Sequence, residues 1–184
     1  MSESGKEATT LADRWRAARA LLLDSDGVLT DGGVFFGAEG EGEFRRFDIK
    51  DGFGLARLSA AGFPIAILSR SSFPAIRTRA ERLGLHSVFL GVEDKVETAD
   101  FWRQELGLAW DELAFMGDDI PDLRLLARVG LALAPVDAVP TVRARVHWTS
   151  HHPGGQGAVR EACDRFLVLH YGLSLDHDPS AERK

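Results

Sequence analysis

The sequence contains a single cysteine, Cys163, which excludes an intrachain disulfide and any zinc site built from several cysteines. No apolar run approaches the ~20 residues of a membrane-spanning helix, and the opening MSESGKEATT has no apolar core of the kind that directs secretion. The expectation is a cytoplasmic protein with no membrane partner. Lysine is scarce as well. Only Lys6, Lys50, Lys95 and Lys184 occur among 22 basic residues, so Lys50 and Lys95 are the only lysines away from the ends. Acidic residues number 28, and the net charge of −6 argues against non-specific nucleic-acid binding, so no nucleic-acid partner is expected.

What is present is an ordinary globular composition, 45% hydrophobic and 27% charged over 184 residues, which fits one domain. Residues 1–10 are small and polar and are expected to be disordered. Residues 11–172 form the expected domain, and 173–184 a flexible tail. Short apolar runs at 20–23, 64–68, 87–90, 113–116 and 130–134 read as strands buried on both faces. Between and around them, 11–20, 73–83, 95–106 and 122–128 have helical character. A last helix is expected over 157–170, with Val159, Cys163, Phe166, Leu167 and His170 on one face and Gly172 as its stop. Alternating strands and helices predict an α/β fold, a Rossmann-like parallel sheet with helices on both faces. Residues 33–47 break the alternation. Val34-Phe35-Phe36 and a second strand over 43–47 read as a protruding β-hairpin.

Three of the predicted strands end in polar groups: Asp24 and Asp26, then Ser69, then Asp118, Asp119 and Asp122. In open parallel sheets the carboxyl ends of the strands form the binding crevice. Carboxylates gathered there raise one another's pKa unless a cation neutralises them, and hard oxygen ligands point to Mg²⁺. Asp24 and Asp26, at i and i+2, face the same way, so one can attack while the other handles a proton. Gly27 permits the turn that holds them there. A carboxylate nucleophile suits phosphoryl transfer, because an aspartyl phosphate is labile enough for water to open it. Ser69 can hydrogen-bond a phosphoryl oxygen, and Lys95, at a predicted helix start, supplies positive charge.

In order, LLLDSDGVLTDG, ILSRSS, GVEDK and AFMGDDIPDL resemble the four motifs of the haloacid dehalogenase (HAD) phosphohydrolase superfamily, and they span residues 21–123. DGVLTDGG, FDIKDGFGL, GDDIPDL and GGQGAVREACD extend the resemblance over residues 20–172 to the small-cap branch typified by 3-deoxy-D-manno-octulosonate 8-phosphate phosphatases. The resemblance implies a Mg²⁺-dependent phosphatase of a phosphorylated sugar acid, with Asp24 as nucleophile and metal ligand. Asp26 would be general acid and base, ligating the metal through its carbonyl. Ser69 and Lys95 would bind phosphate and Asp118 would complete the metal ligands, while Asp119 and Asp122 would orient Lys95 or metal-bound water.

Loop lengths add an independent expectation. Asp26 to Ser69 has room for the hairpin and one helix, and Ser69 to Lys95 for one helix and one strand, so no cap domain fits. A phosphoaspartate site needs water controlled, and a neighbouring subunit is the expected lid. The resemblance implies a homotetramer with central hairpins, in which Pro153-Gly154-Gly155-Gln156-Gly157 closes a neighbour's active site. An apolar hairpin carrying Phe35, Phe36, Phe44 and Phe47 fits that use.

The substrate-binding candidates are Lys50, Gly52, Arg70, Ser71, Gly154, Gly155 and Gln156. Several depart from the octulosonate pattern. Ser69-Arg70-Ser71 stands where those enzymes read Thr-Gly-Arg, and Gln156 and Lys50 each replace an arginine, which removes bidentate partners for a carboxylate. A related ulosonate phosphate, another sugar phosphate or a nucleotide therefore stay open as substrates, beside a HAD-fold oligomer without turnover. His151-His152 lacks a clear third metal partner and reads as a loop or interface pair, Cys163 as an inert core thiol, and Trp102, Trp110 and Trp148 as packing anchors.

Overall fold

Strand β1 (Ala20–Leu23) has no polar side chain on either parity and is buried on both faces, the pattern of a central parallel strand. The computed structural model describes residues 9–38 and 42–174. Within them β4 (Ile65–Ser69), β5 (Ser87–Leu90), β6 (Leu113–Met116), β7 (Leu131–Ala134) and β8 (Trp148–Thr149) join β1 in one parallel sheet, ordered β5-β4-β1-β6-β7-β8. The alternation of side chains divides the core. Leu21, Leu23, Ile65, Ile67, Ala114 and Met116 face one side, where they meet α1 (Leu11–Ala17), α2 (Ile49–Ala60), α3 (Pro74–Arg82) and α7 (Ala158–Tyr171) through residues such as Trp15, Leu55, Ile76 and Phe166. Ala20, Leu22, Ala66, Leu68, Leu113 and Phe115 face the other, against α4 (Lys95–Glu105), α5 (Leu123–Leu126) and α6 (Pro140–Arg143). Each fully buried leucine contributes roughly 1.5–3 kcal/mol by leaving water. Cys163 lies inside this packing, and burial pushes its thiol well above the ordinary range, as an inert core thiol requires.

Local chemistry sets the ends of the elements. Thr10 and Asp13 form a capping box on α1. Pro74 opens α3, Asp94 accepts from the amides of Val96 and Glu97 at the start of α4, and Gly172 ends α7 at φ 63°. Two elements carry no usable sequence periodicity, the four-residue α6 and the two-residue edge strand β8; Pro140 at the first turn is the one signal for the former.

Three expectations need correction. Thr10 belongs to the ordered cap of α1, and residues 1–8 lie outside the described residues. Leu173 packs on the core and the Ser174 carbonyl accepts from Arg57 at 3.0 Å, so the domain extends past 172; residues 175–184 lie outside the described residues. The hairpin, β2 (Phe35–Phe36) paired antiparallel with β3 (Glu43–Phe44), is shorter than expected. Its second strand stops because Arg45 and Arg46 turn toward Asp26 and Asp31, leaving Phe47 in a single bridge to Thr30. Phe35 and Phe36 are 63% and 79% exposed. Only this hairpin and α2 separate β1 from β4, so the described residues contain no cap domain. None of the described helices is long and apolar enough to cross a membrane.

Candidate active site

Because β4, β1 and β6 are adjacent and parallel, their carboxyl ends bring Ser69, Asp24 and Asp118 to one rim of the sheet. Asp24 continues the line of β1, its amide donating to the Met116 carbonyl at 3.0 Å. The next turn is tied by the Ser25 carbonyl, which accepts from the amides of Val28, Leu29 and Thr30. Gly27 sits there at φ +80°, and a Cβ on it would lie 2.1 Å from Asp118 Oδ2, so glycine is required for conformation and for space.

Lys95 opens α4 with its side chain only 5% exposed. Its Nζ lies 2.8 Å from Asp24 Oδ1 and 2.6 Å from Asp122 Oδ1. Asp122 Oδ2 accepts from the amides of Asp118 and Asp119, so this buried carboxylate orients the lysine and ties down the Asp118 loop. Asp119 does not touch Lys95; it is exposed and caps the turn at Ile120.

The charges do not balance. Burial, then the charge of Asp122, raises the Asp24 carboxyl to about 7 against the pull of Lys95. Burial and the charges of Asp24, Asp122 and Asp119 raise Asp118 to about 7. Lys95 is pushed down by burial, yet Asp24 and Asp122 outweigh this and hold it above its ordinary value. Asp24, Asp118 and Asp122 offer carboxylate oxygens within 4.8 Å of one another with one lysine among them, an oxygen-rich set that fits a hard divalent cation.

Asp26 stands beside this cluster, 37% exposed, with Oδ1 2.8 Å from Arg45 Nε. Burial raises its pKa while Arg45 opposes. Ser69 Oγ accepts from the Ser71 amide at 3.1 Å. Asp24, Asp26, Ser69, Arg70, Ser71, Lys95, Asp118, Asp119 and Asp122 all line one cavity of about 300 Å³.

Five substrate-binding candidates lie elsewhere in the fold. Lys50 is exposed in the first turn of α2 and does not line the cavity of its own chain. Gly52 is buried under Arg79. Gly154 and Gly155 are packed against the backbone of Gly27 and Thr30 in the same chain, and the Gly155 amide donates to Val28 O at 2.9 Å. Within the chain these glycines pack on its own Gly27–Thr30 loop, and Gln156 stays exposed.

Three residues outside the predicted set hold this arrangement. Asp51 reaches from α2 to accept the Gly157 and Arg160 amides, capping α7 where Gly157 has no side chain to do so. Asp137 accepts from the Gly154 amide at 2.9 Å. Arg45 contacts Asp26 from the hairpin. For Asp51 the signal was its place in FDIKDGFG, but spacing alone cannot tell a residue that caps another helix from one that touches substrate.

No protein-family model matches the chain. The 3-deoxy-D-manno-octulosonate 8-phosphate phosphatase KdsC of Salmonella typhi is 32% identical over 164 residues, covering 89% of this chain and 87% of that protein. A probable YrbI family phosphatase from Pseudomonas syringae superposes with a TM-score of 0.84 at 38% identity, covering 89% of this chain and 92% of the other. The 3-deoxy-D-manno-octulosonate 8-phosphate phosphatase of Moraxella catarrhalis, solved with magnesium, phosphate and KDO, superposes with a TM-score of 0.82 at 30% identity, covering 86% and 90%. With a relative 32% identical over 89% of this chain and 87% of its own length, the chain belongs to the 3-deoxy-D-manno-octulosonate 8-phosphate phosphatase family of the HAD superfamily.

Proposed function

We propose that this phosphoric monoester hydrolase acts on a phosphorylated sugar acid, 3-deoxy-D-manno-octulosonate 8-phosphate or a related ulosonate phosphate, through a phosphoryl group carried on Asp24. The observation that carries the reading is the convergence of Asp24, Ser69, Lys95 and Asp118 on one cavity. Mg²⁺, held by Asp24, Asp118 and the Asp26 carbonyl, would supply the positive charge that the acidic cluster lacks and stabilise charge on the transferred group. Asp24 Oδ1 is held by the Ser25 amide at 2.7 Å and by Lys95, which leaves Oδ2 as the oxygen without a partner among the described residues. Oδ2 attacks phosphorus as the bond to the sugar oxygen breaks, and that oxygen takes its proton from Asp26. Water then attacks the same phosphorus, Asp26 takes the proton, and Asp24 is released with phosphate. Ser69 and Lys95 hold the non-bridging oxygens.

Arg70, exposed at the cavity and without an ion pair among the described residues, supplies the cation for the sugar-acid carboxylate in place of the family arginine that Ser71 replaces. The same Ser71 and Gln156 favour a second reading, a neutral sugar phosphate or nucleotide as substrate. The exposed hairpin supports a homotetramer in which neighbouring copies cover the open cavity. The deciding experiment is phosphate release from ulosonate 8- and 9-phosphates, neutral sugar phosphates and nucleotides, with and without Mg²⁺. An ulosonate phosphate is expected to give the highest kcat/KM, with turnover abolished in Asp24→Asn and in metal-free buffer. Faster turnover of a carboxylate-free substrate would select the second reading, and an active Asp24→Asn would sink the mechanism.

A further inference from the structure

Arg45 follows β3 on the protruding hairpin, between the exposed Phe44 and Arg46, yet its own side chain is only 8% exposed. An arginine on such an element has water within easy reach, so its burial needs a reason. Three contacts hold it inward. Nε lies 2.8 Å from Asp26 Oδ1, Nη1 lies 2.9 Å from Glu43 Oε1, and the guanidinium stacks 4.4 Å from the centre of the Phe73 ring. Phe73 is the residue before α3, four positions beyond Ser69, so the brace joins the hairpin to the loop that follows the proposed phosphate-binding serine. Lys95 pairs with Asp24 and Asp122, and Arg45 is the cation that forms an ion pair with the Asp26 carboxylate among the described residues. Asp26 Oδ1 is fully buried against Arg45 in an ion contact without hydrogen-bond alignment. The exposure of the carboxylate therefore falls on Oδ2, while Asp26 lines the cavity.

We propose that Arg45 is a positioning residue that pins Asp26 Oδ1 and thereby presents Oδ2 to the oxygen that leaves with the sugar. The inference rests on the reading of Asp26 as proton donor. In the first step the Asp24–phosphorus bond forms, the phosphorus–oxygen bond to the sugar breaks, and the electron pair on the departing oxygen accepts the Asp26 proton. A sugar alkoxide leaves poorly without that proton, whereas p-nitrophenolate leaves well without it. Because kcat/KM reports events only up to the first irreversible step, it isolates leaving-group departure from later hydrolysis on Asp24.

The test compares kcat/KM for 3-deoxy-D-manno-octulosonate 8-phosphate and p-nitrophenyl phosphate in Arg45→Met, Arg45→Lys, Phe73→Leu and Asp26→Asn, with Mg²⁺ present. Arg45→Met is expected to lose about 100-fold on the sugar phosphate and less than about threefold on the aryl phosphate, with the sugar-phosphate loss in kcat rather than KM. Arg45→Lys, which keeps the charge and loses the fork, should recover part of the loss. Phe73→Leu should show a weaker form of the same selectivity with Arg45 intact, which keeps the proposal testable if Arg45→Met does not fold. Equal losses on both substrates, or no loss on either, in folded Arg45→Met and Phe73→Leu would overturn the proposal. If Asp26→Asn loses equally on both substrates, the reading of Asp26 as proton donor fails instead, and the two failures are told apart.

Discussion

Gly154→Ala is the sharpest test of how the end of the sheet holds the catalytic loop. A Cβ at this position would sit 1.8 Å from the Gly27 carbonyl oxygen, 2.6 Å from its carbon and 3.2 Å from the Thr30 carbonyl oxygen. Reaching even 3.0 Å from the first atom requires a separation of 3.0 − 1.8 = 1.2 Å, and both sides of the contact are backbone, so no rotamer can absorb it. The loop that carries Asp26 and Gly27 has to retreat, or the segment at 153–157 has to lift from it. A displacement near 1 Å at reacting groups costs about 100-fold in rate, and the overpacking itself about 1–3 kcal/mol of stability. Gly52→Ala is the matched comparison. There the nearest atom, 2.1 Å away, is the Nη2 end of Arg79, a side chain that can move at the cost of its 3.2 Å bond to the Asp48 carbonyl, and alanine suits the helix interior better than glycine. Phosphate release and urea unfolding of both variants should show Gly154→Ala slow and destabilised and Gly52→Ala close to wild type. Equal behaviour of the two would refute the reasoning that the 153–157 segment buttresses the catalytic loop.

Three further outcomes follow from the same geometry. Asp24 and Asp118 have folded-state pKa values near 7 against an ordinary 3.8, so their favourable contribution to stability is complete below about pH 4 and is lost as pH rises through 7. Metal-free Asp118→Asn should therefore unfold at a higher temperature than wild type at pH 8, with a flatter pH dependence, and should lose the stabilisation that Mg²⁺ gives wild type; a lower midpoint would contradict the repulsion argument. Asp51→Ala strands the Gly157 and Arg160 amides at the start of α7 and should cost about 2–4 kcal/mol in urea unfolding, with Asp51→Asn costing less because it keeps an acceptor. On the proposed homotetramer, Phe36→Ser at the 79% exposed hairpin residue should reduce the particle mass in light scattering, and a mass equal to that of wild type would separate the hairpin from assembly.

The parts of the fold that were legible are those where one residue type has few places to go. Leu21, Leu22 and Leu23 can be buried on both faces only in a central strand, and the abrupt change to Asp24 marks its carboxyl end. The convergence of Asp24, Ser69 and Asp118 was legible for the same reason, since each comes at the end of such a run and parallel pairing brings those ends together. Contacts between distant segments were not legible. Asp51 lies in a motif beside the substrate-binding candidates Lys50 and Gly52, yet its carboxylate is used to cap a helix 106 residues away in sequence. The segment at 153–157 read as closing a neighbour's site, and its packing within its own chain, where the missing Cβ at 154 and 155 leaves room for the Gly27 and Thr30 backbone, was not legible. Arg45 lies within the second predicted strand of the hairpin, and only the path of that hairpin brings it to Asp26. These three contacts form one support. Asp51 fixes the start of α7, the glycines ahead of α7 press on the loop that presents Asp26, and Arg45 pins that residue's carboxylate from the other side. On the proposed mechanism the hairpin, α2 and the segment before α7 together position Asp26 as proton donor, which is why relaxing any one of them should change the reaction before it unfolds the sheet.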